Sequence, residues 1–319
     1  MAETKRPQVR ETVVGEDSGG QRIDNFLLKT LKGVPKSRIY RLLRKGEVRV
    51  NRGRAKPEYR LQTGDIVRIP PVRTRDPAAA VRPGEWILKQ VEQSILYEDG
   101  GLLVLNKPSG LAVHGGSGLS YGVIEALRAL RPDAHFLELA HRLDRDTSGC
   151  LVIAKKRSTL RAFHELLRNG GVDKRYLTLV QGRWRGGKVE APLRKNVLSS
   201  GERLVKVHTA GKYALSLFSP VTLYDGASLM EVKLITGRTH QIRVHARHSG
   251  HPIAGDDKYG DPEFNRWMAG FGLKRLFLHA GLLHFTLDTT VHVEAPLEEG
   301  LKKVLTQIIH RKDEKDAKP

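Results

Sequence analysis

Three short strings carry side chains whose types and spacing suit chemistry. The first, residues 141–149, reads His-Arg-Leu-Asp-Arg-Asp-Thr-Ser-Gly. It sets Arg142 and Asp144 two positions apart, directly before a run of small turn-forming residues. In extended backbone those two side chains share a face while Leu143 turns to the core. Asp146, Thr147, Ser148 and Gly149 then supply side-chain-to-backbone bonds and a permissive glycine for a sharp turn. A carboxylate is thus held at a rigid edge beside a cation, which serves either a structural turn or a reactive site. The second string, Lys174-Arg-Tyr176, opens the apolar run Leu177–Val180. On pattern alone Tyr176 is a half-buried strand tyrosine. The third, Thr236-Gly-Arg-Thr-His-Gln-Ile-Arg-Val-His245, ends with Arg243 between two apolar positions.

Such groups need rigid elements behind them. Cys150-Leu-Val-Ile-Ala154 is apolar without interruption and reads as a strand buried on both faces. Ser94–Tyr97 and Leu102–Leu105 read as strands, with Glu98–Gly101 as the turn between them. Gln241–Ser249 reads as a short helix, with Thr239 as its N-cap and Gly250 as its stop. From about residue 93 to residue 310, short strands alternate with a few helices, an α+β pattern.

The N-terminal part is different. Ile23, Phe26, Leu27 and Leu31 recur at helical spacing, and Ser37 can cap a second helix from Arg38 to Lys45, stopped by Gly46. Arg38, Arg41 and Lys45 line one face of that helix. Val48 and Val50 alternate with polar residues around Arg49, Asn51-Arg-Gly53 makes a turn, and Gly64–Pro70 closes the unit as a strand. Between Gln21 and Arg75, 16 lysines and arginines face four acids, a local net charge of +12 out of +20 for the chain. That concentration predicts a polyanionic partner. The organisation expected is a polar tail over residues 1–20, a basic domain over 21–70, a semi-rigid proline- and alanine-rich linker over 71–92, the larger domain over 93–310, and a charged, disordered tail over 311–319.

The string 141–149 resembles the signature of the pseudouridine synthases that modify uridines in structured RNA, within them those of the large ribosomal subunit. The resemblance implies that Asp144 is the catalytic aspartate and that Arg142 enters the RNA where the target uridine leaves its stack. It implies that Tyr176 stacks on the uracil ring close to C5, where a phenol offers a flat apolar face and a proton-relaying oxygen. It also implies that Arg243 forms a salt bridge to Asp144, keeping ionised a carboxylate that bound RNA shields from water. Asn106–His114 resembles the family's first motif and is expected to support the site floor. Gln21–Pro70 resembles an S4-type RNA-binding domain, with phosphate contacts from Arg38, Arg41, Lys45 and Arg49. Residues 191–196 and 200–203 resemble a basic hairpin insertion, which makes Lys195 and Arg203 candidate RNA contacts. The segments 255–261 and 276–280 resemble later family segments without adding chemistry. The fold implied is α+β: a small S4-like domain followed by a synthase domain with a mixed, mainly antiparallel sheet.

Composition narrows the alternatives. Hydrophobic residues make up 39% of 319, which fits a folded protein. No apolar run approaches the ~20 residues that span a bilayer, and the polar first residues do not read as a signal peptide, so a cytoplasmic monomer is expected. Cys150 is the one cysteine, which leaves no internal disulfide and no thiolate cage. His240, His245, His248 and His251 invite a metal reading, but their intervals match no ligand signature and arginines sit among them. Bonds to backbone or RNA phosphate are the better expectation. The resemblance implies an isomerisation with no cofactor, and neither a Walker A sequence nor G-x-G-x-x-G is present. Partners implied are large-subunit ribosomal RNA or a ribosome assembly intermediate. Two other readings stay open: a catalytically silent RNA-binding assembly factor, and an N-glycosidase releasing free uracil.

Overall fold

The structure, a computed structural model, describes residues 8–31, 34–72, 83–115, 120–197 and 203–316. The chain divides into two compact units, residues 1–81 and 82–319.

In the first unit, strand β1 (Arg10–Val13) precedes helices α1 (Ile23–Thr30) and α2 (Lys36–Lys45), and β2 (Arg49–Val50), β3 (Gly53–Arg54) and β4 (Ile66–Ile69) follow. The strands form an antiparallel sheet in the order β1-β4-β2-β3. Ile23, Leu27, Ile39, Leu43, Val48 and Val67 are buried between the helices and this sheet. Asp24 latches the helices together by accepting bonds from Arg22 and from the Tyr40 hydroxyl. Gly46 ends α2 in the left-handed conformation as expected, but the N-cap is Pro35, not Ser37, and makes no side-chain bond. The unit also reaches further back than residue 21. β1 lies within the expected tail and pairs with β4, covering an edge of that strand.

The second unit opens with α3 (Glu85–Gln93), which lies inside the expected linker. Ile87 and Val91, four apart, bury one stripe of α3 in the main core. Of the linker, residues 73–82 lie outside the described ones. Next come β5 (Ile95–Glu98), β6 (Leu102–Lys107), α4 (Val123–Leu130), β7 (Glu138–Leu139), β8 (Ser148–Ala154), α5 (Arg157–Arg168) and β9 (Val172–Gln181). They are followed by β10 (Gly187–Glu190), β11 (Leu193–Val197), β12 (Arg203–Val207), β13 (Leu215–Leu223), β14 (Ala227–Leu234), α6 (Gln241–His248) and α7 (Pro262–Ala269). The unit ends with β15 (Leu278–Thr286), β16 (Thr290–Glu294) and α8 (Glu299–Asp316). Helix α8 runs into the expected charged tail; its earlier residues Leu301, Val304 and Ile308 are buried and anchor it.

The main sheet runs β10-β13-β14-β9-β15-β8-β6-β5, with β16 on β15 and β7 on β8. Only the short β8–β15 pairing is parallel, so the sheet is mixed and mainly antiparallel. Every residue of β8 is buried, as its unbroken apolar sequence requires. Strand alternation sorts the neighbouring strands between two cores. Tyr176, Val180, Met230 and Val232 join α3, α4 and α5 on one face. Leu177, Leu179 and Leu229 join α7 and α8 on the other. Hairpin β11–β12 stands apart as its own two-stranded sheet.

Candidate active site

The backbone around Asp144 is held from three sides. Lys107, at the end of β6, is fully buried, and its Nζ donates to the carbonyls of Pro108, Leu111 and Arg145 at 2.8, 2.8 and 2.9 Å. Burial pushes its ammonium down to about 7, while those three oxygens take its protons. Ser109 adds a bond to the Asp146 carbonyl. The expected floor-supporting role of residues 106–114 thus rests on Lys107. On the second side, Gly149 has φ +107° and packs against β15 so closely that a Cβ would lie 2.2 Å from the Ala280 carbonyl oxygen. On the third, Arg275 donates to the Ser148 hydroxyl at 2.7 Å. That hydroxyl donates in turn to His279 Nδ1 at 2.9 Å, which leaves His279 Nε2 to donate to the Ala295 carbonyl at 3.0 Å.

Leu143 is buried, Arg142 exposed and Asp144 half-buried, the alternation expected of an extended segment. A cavity of about 560 Å³ opens over this turn, and Arg142, Asp144, Tyr176, His240, Arg243 and Leu278 line it. The structure therefore brings together all four residues expected at the reaction centre. Tyr176 stands on β9 with its ring in the main core. Burial first, and Asp144 second, raise its phenol above the usual range, so it remains protonated. Among the described residues its hydroxyl takes no hydrogen bond.

Arg243 makes the expected salt bridge to Asp144, at 3.8 Å, but a second carboxylate holds it more tightly. Its bidentate partner is Asp256, reached by Nε at 2.7 Å and Nη2 at 2.6 Å, and not Asp144. The remaining Nη1 stands 3.8 Å from Asp144 Oδ2. The cause is burial: Arg243 is 6% exposed and Asp256 1%, and a guanidinium that deep requires a carboxylate equally deep. Burial pulls Arg243 down, but Asp256 and Asp144 outweigh it and the net shift is upward. The guanidinium also lies 5.0 Å over the Tyr259 ring.

Helix α6 begins at Gln241 as its sequence signals imply, but its cap differs. His240, not Thr239, is the N-cap, with φ +53° and no capping bond. Gln241 takes up the local donors instead, accepting from Thr236 Oγ1 and Arg238 N. The left-handed turn aims His240 Nε2 at Asp144 Oδ2, 3.8 Å away. Its Nδ1 lies 2.8 Å from the Tyr259 hydroxyl, which accepts from Val205 N at 2.9 Å. A Tyr259 proton given to Nδ1 puts the ring proton on Nε2, facing Asp144. Burial lowers His240 below the usual histidine range, against the pull of Asp144, so the ring is neutral. His245 and His251 bond Ser216, Ala191 and Gln181.

These features sit within a matched pattern. Residues 101–248 match the model of the RNA pseudouridylate synthase family, and residues 21–67 match that of the S4 domain. The chain is 57% identical over 313 residues to ribosomal large subunit pseudouridine synthase C of Escherichia coli (strain K12), covering 96% of this chain and 98% of that protein. The chain belongs to the RNA pseudouridylate synthase family. Its likeness to the enzyme of the same name from Pasteurella multocida (strain Pm70) is also 57%, over 95% of both chains. Among solved structures, human RNA pseudouridylate synthase domain containing 4 is 25% identical with a TM-score of 0.59, over 70% of this chain and 96% of that one. Human RNA pseudouridylate synthase domain containing 1 is 27% identical with a TM-score of 0.55, over 67% and 86%.

Arg142 aside, the expected RNA contacts of this synthase stand on α2, β2 and the β11–β12 hairpin. Arg38, Arg41 and Lys45 are exposed along α2, and Arg49 is exposed beside Gly46. Lys195 is exposed on β11; Arg203 opens β12, but its side chain lies outside the described ones. Sequence reasoning missed Asp256 and Tyr259, although it singled out the segment 255–261 that carries them. It read His240 as bonded to backbone or RNA phosphate rather than to a metal, and did not place it beside Asp144. A carboxylate thirteen residues beyond a buried arginine was the available signal. Cys150 packs in the core, where burial pushes its thiol up to about 12.

Proposed function

We propose that this synthase isomerises uridines of large-subunit ribosomal RNA to pseudouridine, with Asp144 acting at the sugar–base junction. The observation that carries the assignment is the Asp144 carboxylate at the cavity floor, with Arg243 and the neutral His240 both 3.8 Å away. A uridine inside a stack presents neither C1′ nor C5 to such a group, so the base must flip out. Arg142, exposed beside Asp144, fills the vacated place in the stack. The Tyr176 ring offers the flipped uracil a flat face, and its protonated hydroxyl lies where a proton moves.

The C1′–N1 bond breaks, uracil turns, and C1′–C5 forms. C5 loses its proton and N1 gains one, so atoms and electrons balance within the nucleotide, and neither oxidant nor energy donor is consumed. Arg243 sets a positive charge beside Asp144 when RNA covers the cavity, and Asp256 keeps Arg243 in place. Arg38, Arg41, Lys45, Arg49, Lys195 and Arg203 contact phosphates, giving affinity and salt dependence without sequence readout. The substrate is large-subunit ribosomal RNA, free or in an assembly intermediate. A ribosomal RNA substrate favours a cytoplasmic enzyme, and a charge of +20 favours a monomer by keeping copies apart.

Tritium release from large-subunit RNA labelled with 5-³H-uridine tests the proposal. Wild type releases tritium, and Asp144→Ala binds the RNA without release. Binding without release by wild type would instead make the chain a silent assembly factor. Free uracil as a product would make it a glycosidase.

A further inference from the structure

We propose that Lys174, with Arg168 lining the same cavity, receives a backbone phosphate of the flipped uridine. The proposal rests on the synthase reading above. Lys174 and Tyr176 are two apart on β9, so they project from the same face of the sheet, and both line the cavity. The Lys174 Nζ reaches the loop at the cavity rim, 3.9 Å from where a Cβ on Gly237 would stand. Arg168, exposed at the last turn of α5, lines the same cavity.

The carboxylates nearest to Lys174 in sequence and register face away from it. Asp173 and Glu231 project from the opposite face, where Arg175 and Lys233 pair with them. Among the described residues no carboxylate lies within ion-pair distance of Lys174, and it makes no hydrogen bond. Burial alone lowers its ammonium, with no anion opposing. A half-buried cation without a counter-ion is costly, and an anion delivered by the ligand removes that cost. The only anion that RNA brings is its phosphodiester; uracil is neutral as it arrives and a carbonyl offsets less of the burial. Held there, the phosphate anchors the nucleotide beside Tyr176, two residues along β9 in the same cavity. Lys174 is thus a positioning residue.

The test is the salt dependence of kcat/KM for tritium release from large-subunit ribosomal RNA, compared between wild type and Lys174→Met. One lost phosphate contact lowers the slope of log kcat/KM against log salt by about 0.7–0.9. The deficit of the variant then shrinks about threefold between 50 and 200 mM salt. Lys174→Arg retains a cation and is expected to keep the wild-type slope, and Arg168→Ala to lose part of it. A deficit constant with salt would place Lys174 on the base and overturn the proposal, as would a variant as active as wild type. If Lys174→Met fails to fold, shown by circular dichroism, Lys174→Gln takes its place. Failure of wild type to release tritium counts against the synthase reading and not against this site.

Discussion

Breaking the Arg243–Asp256 pair tests whether the cation beside Asp144 is held by a second carboxylate. Asp256 accepts four bonds: two from the guanidinium at 2.6 and 2.7 Å, and two from the N–H groups of Lys258 and Tyr259 at 2.9 and 3.0 Å. Asp256→Asn keeps an oxygen for the two backbone groups but turns an amide toward Arg243 and removes the counter-charge. Leaving a buried ion unpaired costs about 3–5 kcal/mol. Arg243 recovers part of this by closing the 3.8 Å gap to Asp144, so a loss of about 2–4 kcal/mol is expected. Arg243→Met strands Asp256 instead and costs about 3–5 kcal/mol. The double variant contains no unpaired ion and should be more stable than the summed losses by about 2–3 kcal/mol. All three tryptophans, Trp86, Trp184 and Trp267, lie in the second unit, so urea unfolding followed by tryptophan fluorescence reads that unit alone. Tritium release is lost in all three variants, because the cation beside Asp144 is either gone or collapsed onto it. Losses that add, with a coupling below about 0.5 kcal/mol, would refute the pairing. Wild-type turnover by Asp256→Asn would refute its part in the site.

Further outcomes follow from other contacts. Gly149→Ala forces a left-handed backbone and a clash with the Ala280 carbonyl; a loss of roughly 3 kcal/mol, or about 6–12 °C in Tm by calorimetry, is expected. A melting point unchanged within error would show that β8 and β15 can separate there. Tyr176→Phe keeps the ring and removes a hydroxyl that bonds no described group, so stability holds within ~0.5 kcal/mol while single-turnover rate falls about 10²-fold. Tyr176→Ala also loses base stacking, about 1–3 kcal/mol of RNA affinity; full-rate Tyr176→Phe removes the proton-relay role. His141 accepts from Val152 N–H, and burial pushes its imidazole down to about 3. The unfolded chain then binds a proton that the folded one does not, so the second unit loses stability as pH falls from about 6.5 toward 3. His141→Gln should lower that slope by about 1.4 kcal/mol per pH unit between pH 4 and 6 in urea titrations; an unchanged slope means His141 charges in place.

Much of the framework is local and was therefore readable. The unbroken apolar run of β8 required burial on both faces, and Gly46 required a left-handed stop. Asn51-Arg-Gly53 turned as expected, although both Asn51 and Arg52 take positive φ, stabilised by Asn51 bonds to Asp65 and Ile66. The boundaries that failed did so where tertiary contacts claimed unpromising sequence. Residues 10–13 gained a sheet edge, and residues 85–93, read past a run of prolines, gained a core to pack on.

The same division runs through the site. The string 141–149 by itself determined that Arg142 and Asp144 would stand together on a rigid turn with Leu143 beneath, because turn chemistry and alternation act over a few residues. Sequence resemblance extended this to Tyr176 and Arg243 as cavity neighbours. Only the tertiary structure decided who holds whom. The register of β8 against β15 set the close approach at Gly149 and joined Ser148 to His279. The packing of α6 against the segment after it gave Arg243 to Asp256 and His240 to Tyr259, and left Asp144 with two neighbours at 3.8 Å. No spacing encodes such choices, because the partner of a buried charge is fixed by which other charge folding buries beside it.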